Sequence, residues 1–212
     1  MKDCANPRKL YVQVCLFCNM NPPCAHCCYE CSPQRKEFMS KETFLAALDR
    51  EPDAFLNIGG GEPTCHPDFW WMMHQALSAG RRIWISTNGR RKAHALRLAQ
   101  MAADGTIRAR VSIDRFHQPP SPEVAKAFNG LLDQARYRMS FPVRAGRWKD
   151  EPSGRDACSM CNGVFVQWDG KVRQCGCLEA PVIGDVYSGY EPMFDGDKAW
   201  GCAFGLPDPN GG

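Results

Sequence analysis

The sequence predicts an α/β fold built on a parallel sheet and followed by a small cysteine-rich β tail. Three observations carry that prediction. Short apolar runs alternate with helical patterns from Leu10 to about Ala145, the helical patterns open on recognisable start signals, and past Gly146 the periodicity gives way to Pro, Gly and Cys. A chain of 212 residues has room for one well-buried domain and an appendage, and is short for two full domains.

In chain order, "LYVQV" (Leu10 to Val14) reads as a first strand, "AFLNI" (Ala54 to Ile58) as a second, "RIWIS" (Arg82 to Ser86) as a third and "RARVSI" (Arg108 to Ile113) as a fourth. "SFPVRA" (Ser140 to Ala145) is a candidate fifth, with Pro142 confining it to an edge. Ser40 is placed as the N-cap of "KETFLAALD", Pro67 opens "PDFWWMMHQALSAG" with Gly80 closing it, and Ser121-Pro122-Glu123 opens "VAKAFNGLLDQA". Within the second of these helices, "FWWMM" (Phe69 to Met73) reads as helix packing. Right-handed crossovers curl such units into an open or closed barrel. A boundary near Lys149 then separates a core, residues 1–149, from a tail, residues 150–212, in which "VFVQWDGKVRQC" reads as a hairpin turning at Asp169-Gly170.

Composition narrows the function classes. The formal charge of +3 supplies no basic stripe, so nucleic-acid binding through phosphate contacts is unsupported. The first residues lack a signal-peptide h-region, and no run of about 18 apolar residues occurs, so a soluble, cytoplasmic protein with no membrane partner is expected. Thirteen cysteines, an odd number clustered at metal-ligand spacings, point in a reducing compartment to metal and not to disulfides.

Five of those cysteines fall within "CNMNPPCAHCCYEC", Cys18 to Cys31, directly after the first strand. The second strand ends in "GGGEP" (Gly59 to Pro63), the third in "STNG", and the fourth in Asp114 and His117. Active sites of βα barrels collect at the C-terminal strand ends, so these four loops are expected to share one mouth.

The thiol cluster followed by Gly-Gly-Glu-Pro at the next strand end resembles the radical S-adenosylmethionine superfamily, over roughly Leu10 to Ala145. The resemblance implies a partial parallel (β/α)6 TIM-like barrel. It implies a [4Fe–4S] cluster on three cysteines with one iron open to S-adenosylmethionine, whose reductive cleavage yields a 5′-deoxyadenosyl radical that abstracts hydrogen from a substrate. It also implies an electron donor such as flavodoxin or ferredoxin.

Two cysteine triads compete. Cys24, Cys28 and Cys31 reproduce the family's usual C-x3-C-x2-C spacing, whereas Cys18, Cys24 and Cys27 match its "CNxxCxHC" context, with His26 before the third cysteine and Cys18 at the strand end. Context favours the second triad, the extra loop residues between Asn21 and Pro23 being absorbed in the turn. By resemblance Gly60, Gly61, Glu62 and Pro63 hold the amino group of the cofactor, and Ser86 and Asn88 its ribose or methionine part; Asp114 and His117, by their place at the fourth strand end, are candidates to touch cofactor or substrate. The bland readings stand beside these: a glycine turn, an Asn-Gly turn, a solvated Asp and His, and for the cysteines a zinc site. Arg144 suits a surface salt bridge better than a substrate carboxylate, and Cys65 a buried small hydrophobe better than a hydrogen donor.

The tail resembles the twitch or SPASM-type extension, in which cysteines bracket a hairpin and hold an auxiliary Fe–S cluster. Cys158, Cys161, Cys175 and Cys202 are the favoured ligands, with Cys177 the fifth thiol and a zinc ribbon the alternative. Such extensions are common in enzymes that modify ribosomally made peptides, so a peptide or protein substrate is expected first. Small-molecule or cofactor biosynthesis and glycyl-radical activation are the neighbouring alternatives. About nine residues precede the first strand, too few for a peptide-binding domain, so a separate substrate-presenting protein is an expected partner. A non-enzymatic zinc-binding interaction module is the reading from another class.

Overall fold

A computed structural model of the chain describes residues 8–129, 131, 146–148, 150, 163–173, 176 and 180–191. Strands β1 (Lys9–Cys15), β2 (Phe55–Gly60), β3 (Ile83–Thr87) and β4 (Arg108–Val111) fall on the apolar runs read from sequence. Each pairs in parallel with the next, and β5 (Gly163–Val166) pairs in parallel with the other side of β1, with Lys9 opposite Gly163 and Val12 opposite Val166. From β5 the sheet continues antiparallel through β6 (Lys171–Arg173), β7 (Val182–Asp185) and β8 (Gly189–Tyr190), in the order β4-β3-β2-β1-β5-β6-β7-β8. The expected hairpin at Asp169-Gly170 is thus β5–β6, and it extends the same sheet beside β1. The candidate strand at residues 140–145, Arg144 within it, and Lys149 lie outside the described residues.

The helices are α1 (Lys41–Arg50), α2 (Phe69–Ser78), α3 (Lys92–Ala103) and α4 (Pro122–Asn129). Ser40 caps α1 as expected, its hydroxyl accepting from the Thr43 N–H at 3.1 Å. Ser121 does the same, more loosely, for Val124 at the start of α4, where Pro122 occupies the first helical position. Gly80, at φ +68°, turns the chain out of α2 into β3. Helix α3 has no side-chain cap, Arg91 standing at its N-cap, and that missing signal hides it from a reading by start residues.

The sheet has two unlike faces. Leu10, Val12, Leu56, Ile58, Ile83, Ile85, Ala109 and Val111 point to one, where Phe44, Met72, Met73, Leu98 and Phe128 of the helices close a single apolar core. Alternate positions point the other way: Tyr11 stacks on Phe165 across the β1–β5 pair with ring centroids 4.8 Å apart, and Arg110 lies over the Trp84 ring at 4.4 Å. Gln13 also belongs to this face, fully buried. Among the described residues no helix is long and apolar enough to cross a membrane.

Candidate functional site

The site begins where β2 runs up against the chain leaving β1. Gly61 N–H donates to Cys15 O at 2.8 Å and Glu62 N–H to Phe17 O at 2.9 Å, carrying the strand pairing past the ends of the strands. Side chains do not fit here: a Cβ on Gly61 would lie 2.0 Å from Phe17 O, and one on Gly60, which sits at φ +128°, would lie 2.4 Å from Cys15 O. The glycines of "GGGEP" therefore let the cysteine loop lie directly on the end of β2.

Glu62 is 1% exposed, and its carboxylate ties the next two strand ends together. Its Oε1 accepts from Thr64 N, Thr64 Oγ1 and Thr87 Oγ1, at 3.2, 2.6 and 2.8 Å, and its Oε2 from Asn88 N at 2.7 Å. Burial raises its pKa against these bonds, which favour the carboxylate. Sequence reading offered this carboxylate to an ammonium; the structure fills it with four donors from its own chain. Asn88 carries the connection on, its Nδ2 donating to Asn19 Oδ1 at 2.8 Å and approaching Cys18 Sγ at 3.8 Å.

All of the described cysteines are free thiols. Burial pushes Cys18 up to about 12, with the negative charges of Glu62, Cys24 and Cys27 adding to it. Cys27 moves the opposite way, down to about 6: the Cys31 thiol donates to it, the Cys31 backbone N–H reaches its Sγ at 3.4 Å, and Arg147 adds positive charge. Glu30, at φ +53°, makes the left-handed turn that brings the Cys31 N–H back to Cys27. Cys31, 3% exposed, is held as the protonated partner, its pKa raised by the bond to Cys27 and by burial. Burial, and to a lesser extent the charge of Cys28, raises the Tyr11 pKa. Cys65 is half-buried, and burial pushes it up to about 11.

The loop after β4 meets the cysteine loop from its far side. Asp114 Oδ1 accepts from Phe116 N, His117 N and His117 Nδ1 at 2.8, 3.1 and 2.8 Å. Burial lowers the pKa of His117, but Asp114 and the neighbouring Cys24 outweigh that and raise it to about 9. The His26 ring packs on Phe116 at 4.4 Å and edge-on to His117 at 5.1 Å, and Gln118 Nε2 donates to Asn21 O at 2.8 Å.

The loops expected at one mouth are therefore joined: the loop after β4 packs on His26 and bonds Asn21 O, and Asn88 ties Asn19 and Cys18 to Glu62. Ser86 stands apart from them, within β3, accepting from Arg110 Nε at 2.8 Å. Arg147 is a site residue that no sequence signal marked. It donates to Cys24 O and Cys31 O at 3.3 and 2.8 Å, and its own N–H to Cys27 O at 3.3 Å, so it braces the cysteine loop by its carbonyls. Cys158, Cys161, Cys175, Cys177 and Cys202 lie outside the described residues.

No family model matches the chain. It is 29% identical over 108 residues to mycofactocin maturase MftC of Mycobacterium ulcerans (strain Agy99), a stretch covering 48% of this chain and 29% of that protein. To the MftC of Mycolicibacterium smegmatis (strain ATCC 700084 / mc(2)155) it is 28% identical over 114 residues, 50% of this chain and 29% of the relative. The chain thus matches less than a third of the length of these relatives. In three dimensions it is similar to polyhistidine-tagged anSMEcpe with bound AdoMet, with a TM-score of 0.58 at 14% identity over 89% of this chain and 79% of the other. Native anSMEcpe with bound AdoMet and a peptide gives a TM-score of 0.56 at the same identity and coverage. The likeness to the radical S-adenosylmethionine superfamily holds in sequence and in fold.

Proposed function

We propose that this chain is a radical S-adenosylmethionine enzyme acting on a peptide or protein, with Cys18, Cys24 and Cys27 holding the [4Fe–4S] cluster. When bound, the cluster supplies one electron that breaks a carbon–sulfur bond of S-adenosylmethionine, and the resulting 5′-deoxyadenosyl radical takes hydrogen from the substrate.

The observation that carries the reading is that the loop bearing Cys18, Cys24 and Cys27 lies directly on the glycine-rich end of β2, with Gly61 N–H on Cys15 O, Glu62 N–H on Phe17 O and Asn88 Nδ2 approaching Cys18 Sγ at 3.8 Å. Beyond burial, Glu62, Cys24 and Cys27 add negative charge around Cys18 and raise its pKa, a charge that a cation would offset, and a metal ion deprotonates such a thiol outright. The Cys27 thiol is lowered from its ordinary value, the direction that favours the thiolate a cluster takes, by the Cys31 thiol and by the Cys31 N–H at 3.4 Å from its Sγ. That pairing favours Cys18, Cys24 and Cys27 over Cys24, Cys28 and Cys31.

Around this set the chain's own groups have separable tasks. Glu62 fixes the β2 and β3 ends, which leaves the backbone of Gly60 and Gly61 to meet the cofactor's amino group. Asn88 steadies the Cys18 side, and the turn that Asp114 holds steadies the His26 side. The AdoMet and peptide bound by the structural neighbours support the cofactor and the substrate class. Closure of the sheet into a partial barrel fits the same reading. In the tail, Cys161 precedes β5 and Cys175 follows β6 by two residues each, so both belong by sequence to the open end of the hairpin, where an auxiliary cluster with Cys158 and Cys202 is proposed. A flavodoxin- or ferredoxin-like donor in the cytoplasm and a substrate-presenting protein complete the proposal.

The test is anaerobic purification followed by iron, sulfide and zinc analysis, with Cys24→Ala in parallel. About eight irons per chain falling to about four in the variant is the expected result. Zinc without iron would replace the enzyme by a zinc-binding module.

A further inference from the structure

We propose that the basic rim beside the tip of the cysteine loop, carried by Arg90, Arg91, Lys92 and Arg115, is the docking surface for an acidic protein that donates single electrons, a flavodoxin or ferredoxin. The inference rests on the function proposed above and adds the surface at which that partner is met.

The turns after β3 and β4 make the rim. Residues 88–92 and 112–123 hold these four cations, all exposed, against two acids, Asp114 and Glu123. Asp114 is turned inward, its side chain 6% exposed, and Glu123 is paired with Lys92, so the arginines set the sign of the surface. Hydrogen bonds fix Arg90 against the cysteine loop: its N–H donates to Asn88 Oδ1 at 3.0 Å, its Nη1 to Gln118 Oε1, and Gln118 Nε2 in turn to Asn21 O at 2.8 Å. Arg91 Nη1 donates to Thr64 O, directly after "GGGEP". Arg115 lies over the Phe116 ring at 4.6 Å, and that ring packs on His26. Asn21 and Pro22, exposed at the loop tip, stand between Cys18 and Cys24 in the chain. Between the two turns a recess of about 220 Å³, lined by Gly89, Arg90, Lys92, Pro119, Pro120 and Ser121, gives a partner's side chain a place to enter.

Placement and charge decide the partner. Helices α3 and α4 begin at these turns and pack on the apolar core, so the rim faces outward on the helix-covered side of the sheet. A protein bound there meets the cysteine loop from outside, which suits a partner that passes an electron and leaves. Four cations on two short turns are too few for a nucleic-acid stripe, yet enough to steer an acidic surface, whose carboxylates arginine pairs bidentately. Electron-transfer encounters use small, weakly held interfaces of this kind. In the step served, the anionic flavin hydroquinone of a flavodoxin loses one electron and becomes the neutral semiquinone, while the oxidised cluster held by this chain is reduced by that electron; no bond forms and no proton moves.

The experiment is a binding titration of a bacterial flavodoxin against the anaerobically reconstituted full chain at about 50 and about 300 mM salt. Wild-type affinity is expected to fall about tenfold over that range, and Arg90→Glu with Arg115→Glu to cost about tenfold at low salt. Arg82→Glu with Arg108→Glu, the same charge change at exposed positions by the starts of β3 and β4, should keep the affinity within about twofold. As a second readout, 5′-deoxyadenosine formed with reduced flavodoxin falls in the rim variant, while that formed with dithionite, which needs no docking surface, holds. A wild-type affinity that salt leaves unchanged overturns the inference without any variant. So does a rim variant that binds like wild type, and so does equal loss in both pairs of variants, which would mark net charge alone. Tighter binding of a single-stranded RNA than of flavodoxin would give the rim to nucleic acid instead. Wild type that holds no iron, or makes no product under dithionite, overturns the proposed function itself and is told apart by that arm.

Discussion

The helix-covered face of the sheet and the loops at its C-terminal edge are built from the same strands on opposite logic. On the face, Leu10, Val12, Leu56, Ile58 and Ile85 are buried against helices with no polar partner to satisfy. At the edge, Glu62, Thr87 and Asn88 are also buried, yet they are there to hold hydrogen bonds to one another and to the cysteine loop. Burial therefore means stability in one place and positioning in the other, and substitutions should separate the two.

The largest separation is expected at Cys27. Cys27→Ala should abolish the iron signal of the cofactor-binding cluster while thermal unfolding of the metal-free chain moves little, because the Cys27 side chain is half-buried and not part of the core. Next comes Glu62→Ala, which strands the Thr64, Thr87 and Asn88 donors in a buried place; it should cost on the order of 3 kcal/mol in denaturant unfolding and also lose iron, joining the two regions. Leu56→Ala should cost about 2–5 kcal/mol, with iron per folded chain unchanged. Iron loss there at full folding would erase the distinction between face and edge. Ser40→Ala removes the α1 cap and should cost about 1 kcal/mol.

The smallest effect is a pH dependence confined to His66, buried behind the edge with Nε2 on Met39 O and Nδ1 accepting from Asp68 N, at 2.9 Å each. Burial lowers its pKa below the ordinary 6.5, against Met39 and Asp68, which raise it. A histidine whose folded pKa is depressed contributes stability that is complete above 6.5 and is lost as pH falls through the folded value. His66→Gln should flatten the fall in melting temperature below pH 6.5; an unaltered fall would assign it to other groups.

The same contrast explains what was legible in the sequence. The strands of the parallel sheet announced themselves because their apolar runs answer one demand, burial, and Ser40 and Ser121 because a cap leaves a local signature. That Cys18, Glu62, Asn88 and Asp114 lie in neighbouring loops could be read because strand ends at one edge must meet. Their tasks were less legible: Glu62 is saturated by its own chain and Ser86 is held by Arg110, facts of three-dimensional pairing that spacing does not encode. Arg147 was missed for the same reason, since a lone arginine far along the chain gives no sign that its partners are backbone carbonyls of the cysteine loop. Helix α3 was missed because it starts on Arg91 without a capping side chain.

The most direct measurement is 5′-deoxyadenosine formation from S-adenosylmethionine under reductant, made in parallel on reconstituted wild type, Cys27→Ala and Cys31→Ala. The proposed function predicts product from the wild type and from Cys31→Ala, and none from Cys27→Ala. Product from Cys27→Ala but not from Cys31→Ala would transfer the cluster to the other triad. No product from the iron-loaded wild type would contradict the enzyme itself.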